Sequence, residues 1–592
     1  MAIYKVDISN KDAKRDLLDL FIDRNIVLES PCGGKGICGK CKIKLISGDV
    51  NPITEKEIAF LREDEIKEGY RLACLTFGRG NVEVEIEEKE AKHKILSDGY
   101  MPDIEFNPII TKVLKKSEDL VVDNLDSYED LLCTINKTND LNLIGKMNKI
   151  VRNDEITAVY SGDDLIDIED GNTVDKSFGV AIDIGTTTVV ASLIDLKEGN
   201  EVGSDTAINP QKEYGLDVLT RIDFINRREN GLEILKNTIV DCLNKLIGNL
   251  CEEHKVERKN IYEICIGANT TMMHILLGIS TETIGRSPYK PLFVNEKYIN
   301  AKDMGINIAE GGKVYCLPGV SSYIGADIVA GVMVSNLKYT DKNVLFIDIG
   351  TNGEIVLAKK GKLASCSCAA GPAFEGMNIS CGMRAAEGAI EEINISPEKI
   401  TLKTIGNKKP VGICGSGILE LISELWRNKL IGKTGRIKTA EDVLKSTESE
   451  VLASCIEDVD KKRRVVISRE HNIYITQEDI RQVQLAKGAI ASGFYSLLET
   501  LELSMDDLDE VIISGQFGKH LKISSLVGVG IIPKDLENKV TYIGNSSKTG
   551  ALMCLTSKNV RKEIQQVATD IDYFELSTKD GYERLFTKCL NF

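Results

Sequence analysis

Four cysteines are spaced for inorganic chemistry. Cys32, Cys38 and Cys41 follow one another as Cys-x5-Cys-x2-Cys in Pro31-Cys32-Gly33-Gly34-Lys35-Gly36-Ile37-Cys38-Gly39-Lys40-Cys41, and Cys74 comes later, in Arg71-Leu72-Ala73-Cys74. Three thiolates on a glycine-rich loop, closed by one from a distant segment, suit a [2Fe-2S] cluster. The glycines let the backbone wrap an inorganic core and turn N–H groups toward its sulfurs. A structural zinc site usually pairs its ligands as two short Cys hooks, and only one such hook is present. The chain has sixteen cysteines, and most of the other twelve sit in apolar surroundings, where a free thiol behaves as a small hydrophobe. Cys366-x-Cys368 with Cys381 offers no obvious fourth ligand for a second metal.

A second chemistry is written twice. Val180-Ala181-Ile182-Asp183-Ile184-Gly185-Thr186-Thr187-Thr188 returns as Leu345-Phe346-Ile347-Asp348-Ile349-Gly350-Thr351-Asn352-Gly353-Glu354. Each copy reads as a hairpin between apolar strands. Its tight turn presents N–H groups and hydroxyls to a phosphate chain, and its Asp is placed to hold a Mg2+ shell through water. One such hairpin is a weak signal, because Asp, Gly and Thr favour turns anyway. Two in one chain mark an internal duplication.

The elements that position these groups follow from patterning. Residues 2–7 alternate as a strand, 12–24 suit a short helix, 41–48 suit a strand ending at Gly48, Thr54 suits a helix cap, and 82–86 alternate again. Residues 89–103 read as a linker. Within 104–175, a strand near 109–114 and a helix over 128–143 are expected, and the acidic stretch 161–172 reads as a solvated connector. In the duplicated region, Ile264-Cys265-Ile266-Gly267-Ala268-Asn269 and Val511-Ile512-Ile513-Ser514-Gly515-Gln516-Phe517-Gly518 each read as a buried strand running into a small-residue turn. Small-residue helices begin near Gly325 and Gly544, and small faces suit a sliding hinge. Gly415-Ser416-Gly417 opens a helix that can line a nucleotide cleft.

Composition excludes some classes. The 592 residues are 42% hydrophobic and 28% charged, with net charge -16. That balance argues against nucleic acid, whose affinity rests on Lys and Arg. No apolar run approaches the roughly 18 residues of a membrane span, and the first residues lack a signal-peptide pattern. The cytoplasm is the expected location, and the thiol usage fits a reducing, anaerobic cell. Five histidines leave little room for a His-rich metal site.

The order strand, helix, cluster loop, strand, helix, Cys, strand over residues 1–88 resembles a β-grasp [2Fe-2S] ferredoxin. The first cysteine gap holds five residues, one more than the plant-type spacing. Residues 176–592 resemble the acetate and sugar kinase, Hsp70 and actin superfamily, which implies an RNase H-like lobe over about 176–340 and another over 341–592, closing on Mg-ATP. The fold class expected is thus a multidomain α/β chain: a β-grasp ferredoxin domain, a small α+β middle domain and a duplicated actin-like ATPase. By that resemblance Asp183 and Asp348 organise Mg2+, with Glu354 as a further catalytic carboxylate. Gly185, Thr186, Thr187, Thr188, Gly350, Thr351 and Asn352 hold phosphates, while Gly415, Ser416, Gly515 and Gly518 border the nucleoside.

The combination resembles the reductive activators of corrinoid-dependent methyltransferases. Asn209-Pro210-Gln211 with Tyr214-Gly215, and Ala369-Ala370-Gly371-Pro372-Ala373-Phe374-Glu375-Gly376, strengthen the likeness. It implies one electron passed uphill from the cluster to cob(II)alamin, giving cob(I)alamin, with Mg-ATP driving the step. Plant-type centres lie near about -400 mV, and each 100 mV opposed costs about 2.3 kcal/mol, within reach of an ATP cycle. It also implies a corrinoid protein as partner, an external low-potential electron donor and a homodimer through the ATPase domain. Alternatives are a small-molecule kinase with a redox-regulatory ferredoxin domain, an ATP-dependent activator of another low-potential enzyme such as a dehydratase, and a redox sensor reporting through nucleotide state.

Overall fold

The computed structural model describes residues 2–9, 12, 14–24, 26, 28, 30, 34, 36, 39–86, 100–116, 141–150, 155–459, 462–515 and 521–592. The N-terminal sheet runs β1-β4-β2-β3, from β1 (Ala2–Ile8), β2 (Lys42–Val50), β3 (Tyr70–Leu72) and β4 (Gly78–Ile86). The helix Leu17–Asp23 lays Leu17, Leu18, Leu20 and Phe21 on it. This helix begins later than the apolar pattern suggested, because Asp16 caps it by accepting from the Asp19 N–H. Thr54 and Glu57 form the expected capping box on Glu55–Phe60.

A second sheet joins β5 (Ile110–Lys116), β6 (Glu155–Ser161) and β7 (Asp164–Asp170) as an antiparallel meander. The acidic stretch is therefore not a connector. β7 buries Leu165, Ile166 and Ile168, and its acids find partners: Lys146 reaches Asp167 at 2.5 Å, and the Tyr262 hydroxyl donates to Glu169 at 2.8 Å. A helix does occur nearby, Leu141–Ile150; the expected helical residues before 141 lie outside the described set.

The duplication is visible in two six-stranded sheets. The first is ordered β10-β9-β8-β11-β13-β12, from β8 (Phe178–Ile184), β9 (Thr188–Asp195), β10 (Glu201–Ile208), β11 (Ile261–Ala268), β12 (Lys297–Asn300) and β13 (Lys313–Cys316). β8, β9 and β10 are an antiparallel meander, with β11 and β13 added in parallel beside β8. The second sheet repeats this plan with β14 (Asn343–Ile349), β15 (Gly353–Lys359) and β16 (Lys362–Cys368) as the meander. Two small sheets follow as insertions, β17 (Ala389–Ile395) with β18 (Ile400–Thr404) and β19 (Gly412–Ile413), then β20 (Ile456–Val459) with β21 (Lys462–Ser468) and β22 (Ile473–Thr476). The parallel strands β23 (Glu510–Ser514) and β24 (Val540–Gly544) then join β14, and β25 (Ile571–Tyr573) closes the far edge. Central strands buried on both faces read as unbroken apolar runs, which is why the sequence shows them plainly.

The helices Ala326–Val334 and Ser546–Thr556 cross between the two sheets. A Cβ on Gly550 would lie 2.5 Å from the Ala330 Cβ. Only small residues allow that approach, and adding a side chain there overpacks the crossing at a cost of about 1–3 kcal/mol.

Candidate functional site

Two sites emerge. At the first, β2 and the turn after β3 bring Cys41 and Cys74 together, with Sγ atoms 3.3 Å apart and both side chains buried. The distance far exceeds the roughly 2.05 Å of a disulfide and suits two thiolates facing one inorganic core. The Ala73 N–H donates to the Cys41 carbonyl at 2.9 Å, locking the two segments. Behind them Glu57 receives Arg71 Nε at 2.9 Å and the Leu72 N–H at 3.1 Å. Burial alone would raise the Glu57 carboxyl, but Arg71 and the backbone donors hold it below the usual carboxylate range. Gly36 and Gly39 have φ of +68° and +64°, so the loop turns where side chains are disfavoured. Cys32 and Cys38 lie outside the described residues. The described pair and its glycine-shaped loop fit a [2Fe-2S] group.

The second site is the cleft between the hairpin turns β8–β9 and β14–β15. It is lined by Asp183, Gly185, Thr186, Thr187 and Thr188 from one side and Asp348, Gly350, Thr351, Asn352 and Glu354 from the other, with Gly515 beside them. Each Asp is the penultimate residue of its first strand, and Asp348 stands in register with Glu354 across the hairpin. Gly515, at φ +99°, sits where a Cβ would meet the Ile349 carbonyl at 2.8 Å, so backbone alone fits there. Gly415 and Ser416 do not line the cleft. Their helix, Gly415–Arg427, is tied to β17, with Ser416 Oγ donating to the Glu391 carbonyl at 3.3 Å and Gly417 against the Ile390 carbonyl. Gly518 lies outside the described residues.

The cleft also holds residues that the motifs did not single out. Asn269, Asp327, Glu375, Ser514 and Asn545 all line it. Asn545 donates to Asp183 at 2.9 Å, and Asn269 donates to Thr186 Oγ1 at 3.0 Å. Glu375 spans the lobes, accepting from Thr187 Oγ1 at 2.8 Å and from Thr351 Oγ1 by a shorter bond. That carboxylate links the two hairpin turns. Among the described residues no three His, Cys, Asp or Glu converge as a ready cage for an ion.

Of the five acids that line the cleft, four hold their protons more tightly than a free carboxyl does. Burial pushes Asp327 up to about 8, with the carboxylates of Asp348 and Asp183 adding to the rise. Burial likewise raises Asp348 to about 6, and Asp183 and Glu354 in the same direction. The folded protein thus keeps protons that the unfolded chain has lost. The stability these groups contribute is present below the ordinary carboxylate pKa of about 4 and is lost as pH rises through about 6 and then 8. The melting temperature of the nucleotide-free protein is expected to fall from about pH 5 to about pH 9, and Mg-ADP to protect more at the alkaline end, where no protons need to be displaced. Asp327→Asn is expected to flatten the alkaline part of the slope in the same thermal scan.

The chain is 30% identical over 587 residues, 97% of its own length and 95% of the relative's, to the corrinoid activation enzyme RamQ of Eubacterium limosum. A solved structure titled reductive activator for corrinoid, iron-sulfur protein covers 100% of the chain and 98% of its own length, with a TM-score of 0.72 and 32% identity. This chain belongs to the reductive activators of corrinoid proteins. The family models match this activator in three blocks: a 2Fe-2S iron-sulfur cluster binding domain over 5–78, the RACo middle region over 178–340 and the C-terminal ASKHA domain of RACo over 342–592. A Methanosarcina barkeri protein, the [Co(II) methylated amine-specific corrinoid protein] reductase, is 21% identical over 442 residues, 69% of the activator and 76% of that relative. Among the described residues of the activator, no helix is long and apolar enough to cross a membrane.

Proposed function

We propose that this protein is an ATP-dependent reductive activator of a corrinoid protein in a methyltransferase system. The observation that carries this reading is likeness to corrinoid activators along the full chain, joined to a buried Cys41–Cys74 pair and a two-hairpin cleft in one molecule. The substrate is the partner's cob(II)alamin, which gains one electron and becomes cob(I)alamin. When bound, the [2Fe-2S] group carries that electron and Mg-ATP supplies the free energy that makes the uphill transfer possible.

The residues divide the work. Cys32, Cys38, Cys41 and Cys74 hold the cluster. Asp183, Asp327 and Asp348 would hold Mg2+, with Glu354 beside them. Thr186, Thr187, Thr188, Thr351 and Asn352 take the phosphates. Glu375 yields the hydroxyls of Thr187 and Thr351 when phosphates arrive, so nucleotide replaces a carboxylate link between the lobes with its own. No phosphoryl group need reach the corrinoid; differential binding of the closed lobes is enough to shift the equilibrium. A ferredoxin unit over 1–88, a linker over 89–103, a small unit over 104–175 and a two-lobed ATPase over 176–592 complete the reading. So do a cytoplasmic location, an external low-potential donor and a homodimer through the ATPase. Anaerobic mixing of the reduced protein with a cob(II)-loaded corrinoid protein tests the function. Cob(I) absorption is expected with Mg-ATP and only traces without it; Mg-ATP-independent formation overturns the coupling.

A further inference from the structure

Residues 209–215 and the following helix, Val218–Arg227, touch both sites. At one end they grip the back of the first phosphate turn. Asn209 Nδ2 donates to the Gly185 carbonyl at 2.9 Å, the Asn209 N–H to the Thr187 carbonyl at 2.8 Å, and Arg221 to the Thr186 carbonyl at 2.5 Å. Three successive carbonyls are thereby turned away from the cleft. Arg221 is fully buried and also donates to Gly215 at 2.9 Å and Gln211 at 3.0 Å, so turn, loop and helix are one bonded unit.

At the other end the same unit holds the ferredoxin fold. The Glu213 carbonyl accepts a short bond from Ser30, a buried residue two positions before Cys32. Arg228, just past the helix, pairs with Asp23 at 3.2 Å and more closely with Asp19, while its guanidinium lies over the Phe224 ring. Ile22 packs against both the ferredoxin core and the core of the first lobe. The contact thus has an apolar centre, a fork of charge and a bond beside the cluster loop.

We propose that residues 209–215 and Arg228 form a docking seat for the chain's own ferredoxin domain, and that nucleotide in the cleft opens it. The seat is engaged while Glu375 holds Thr187. Phosphates on Thr186–Thr188 displace that carboxylate and shift the turn, and Asn209 and Arg221 carry the shift to Glu213 and Arg228. The cluster loop is then released toward the corrinoid partner. The inference rests on the reading that the cleft binds Mg-ATP.

Linkage makes the proposal measurable without any corrinoid, since docking must weaken nucleotide binding by the factor with which nucleotide weakens docking. Binding of Mg-AMPPNP to the full holoprotein is expected to tighten at least about 5-fold in Arg228→Ala, at the low end of ordinary coupling. Asp19→Ala is expected to do the same, and the double variant no more than either. In Arg228→Lys, a carbodiimide is expected to join Lys at 228 to Asp19, with the cross-linked peptide falling several-fold when Mg-AMPPNP is present. Unchanged or weaker nucleotide binding in the single variants, additive effects in the double, or a cross-link absent or indifferent to nucleotide overturns the seat while leaving the cleft reading intact. Absence of any nucleotide binding by the unaltered protein overturns both.

Discussion

Cys41→Ala is expected to lose the visible iron–sulfur absorption and all electron transfer to a corrinoid protein, while Mg-nucleotide binding is retained, unchanged or tightened as the ferredoxin seat loosens. Cys41 is buried in the N-terminal core, facing Cys74 and tied to Ala73. Removing one of four thiolates leaves no complete ligand set. The cleft sits on two cores of its own, one gathered around β8–β11 and one around β14–β16 and the helix Gln477–Thr500, so its two turns fold without the cluster. Cys265→Ala is the matching control. That thiol is fully buried in the first lobe, where it accepts from Arg561 at 3.4 Å, and its loss should leave the absorption unchanged. Ultraviolet–visible spectra and nucleotide titration on both variants check the pair.

Asp348→Asn is expected to give the reverse pattern, with a full cluster spectrum and ATP-dependent cob(I) formation slowed about 10–100-fold, the usual loss when an outer partner of a bound metal is removed. The Asn keeps the shape and removes the charge. Asp348 is already raised to about 6 by burial and by Asp183, so the protein assayed without nucleotide loses little by the exchange and its thermal stability should hold or rise. The effect should therefore appear in the Mg2+ dependence of the ATP step rather than in folding. A cluster lost in this variant contradicts the separation of the two sites.

Much of this was legible in the residues themselves. Cysteine spacing announces the cluster loop because four ligands around one core leave few arrangements. The twin Asp-x-Gly-Thr hairpins announce the lobes because strands buried on both faces must be apolar throughout. Other parts were hidden by distance in sequence. Asp327 opens a helix of small apolar residues, and nothing local shows that it faces Asp183 and Asp348. Glu375 is one acid in a turn until Thr187 and Thr351 are seen to share it. The acidic strand β7 looked solvated because Lys146 and Tyr262, which satisfy its carboxylates, are remote along the chain. Gly415 had the composition of a nucleotide turn, but its helix is bonded to β17, a strand of the inserted sheet, instead.

The central claim is that one molecule couples a cleft for Mg-ATP to an electron held on four cysteines. The most direct measurement places the dithionite-reduced protein, freed of excess reductant, with a stoichiometric cob(II)-loaded corrinoid protein in one anaerobic cuvette and then adds Mg-ATP. Cluster re-oxidation and cob(I) absorption are expected to rise together, one electron for one cobalt, only after the addition. Cob(I) appearing before Mg-ATP, or ATP consumed with no change at either chromophore, would contradict the account.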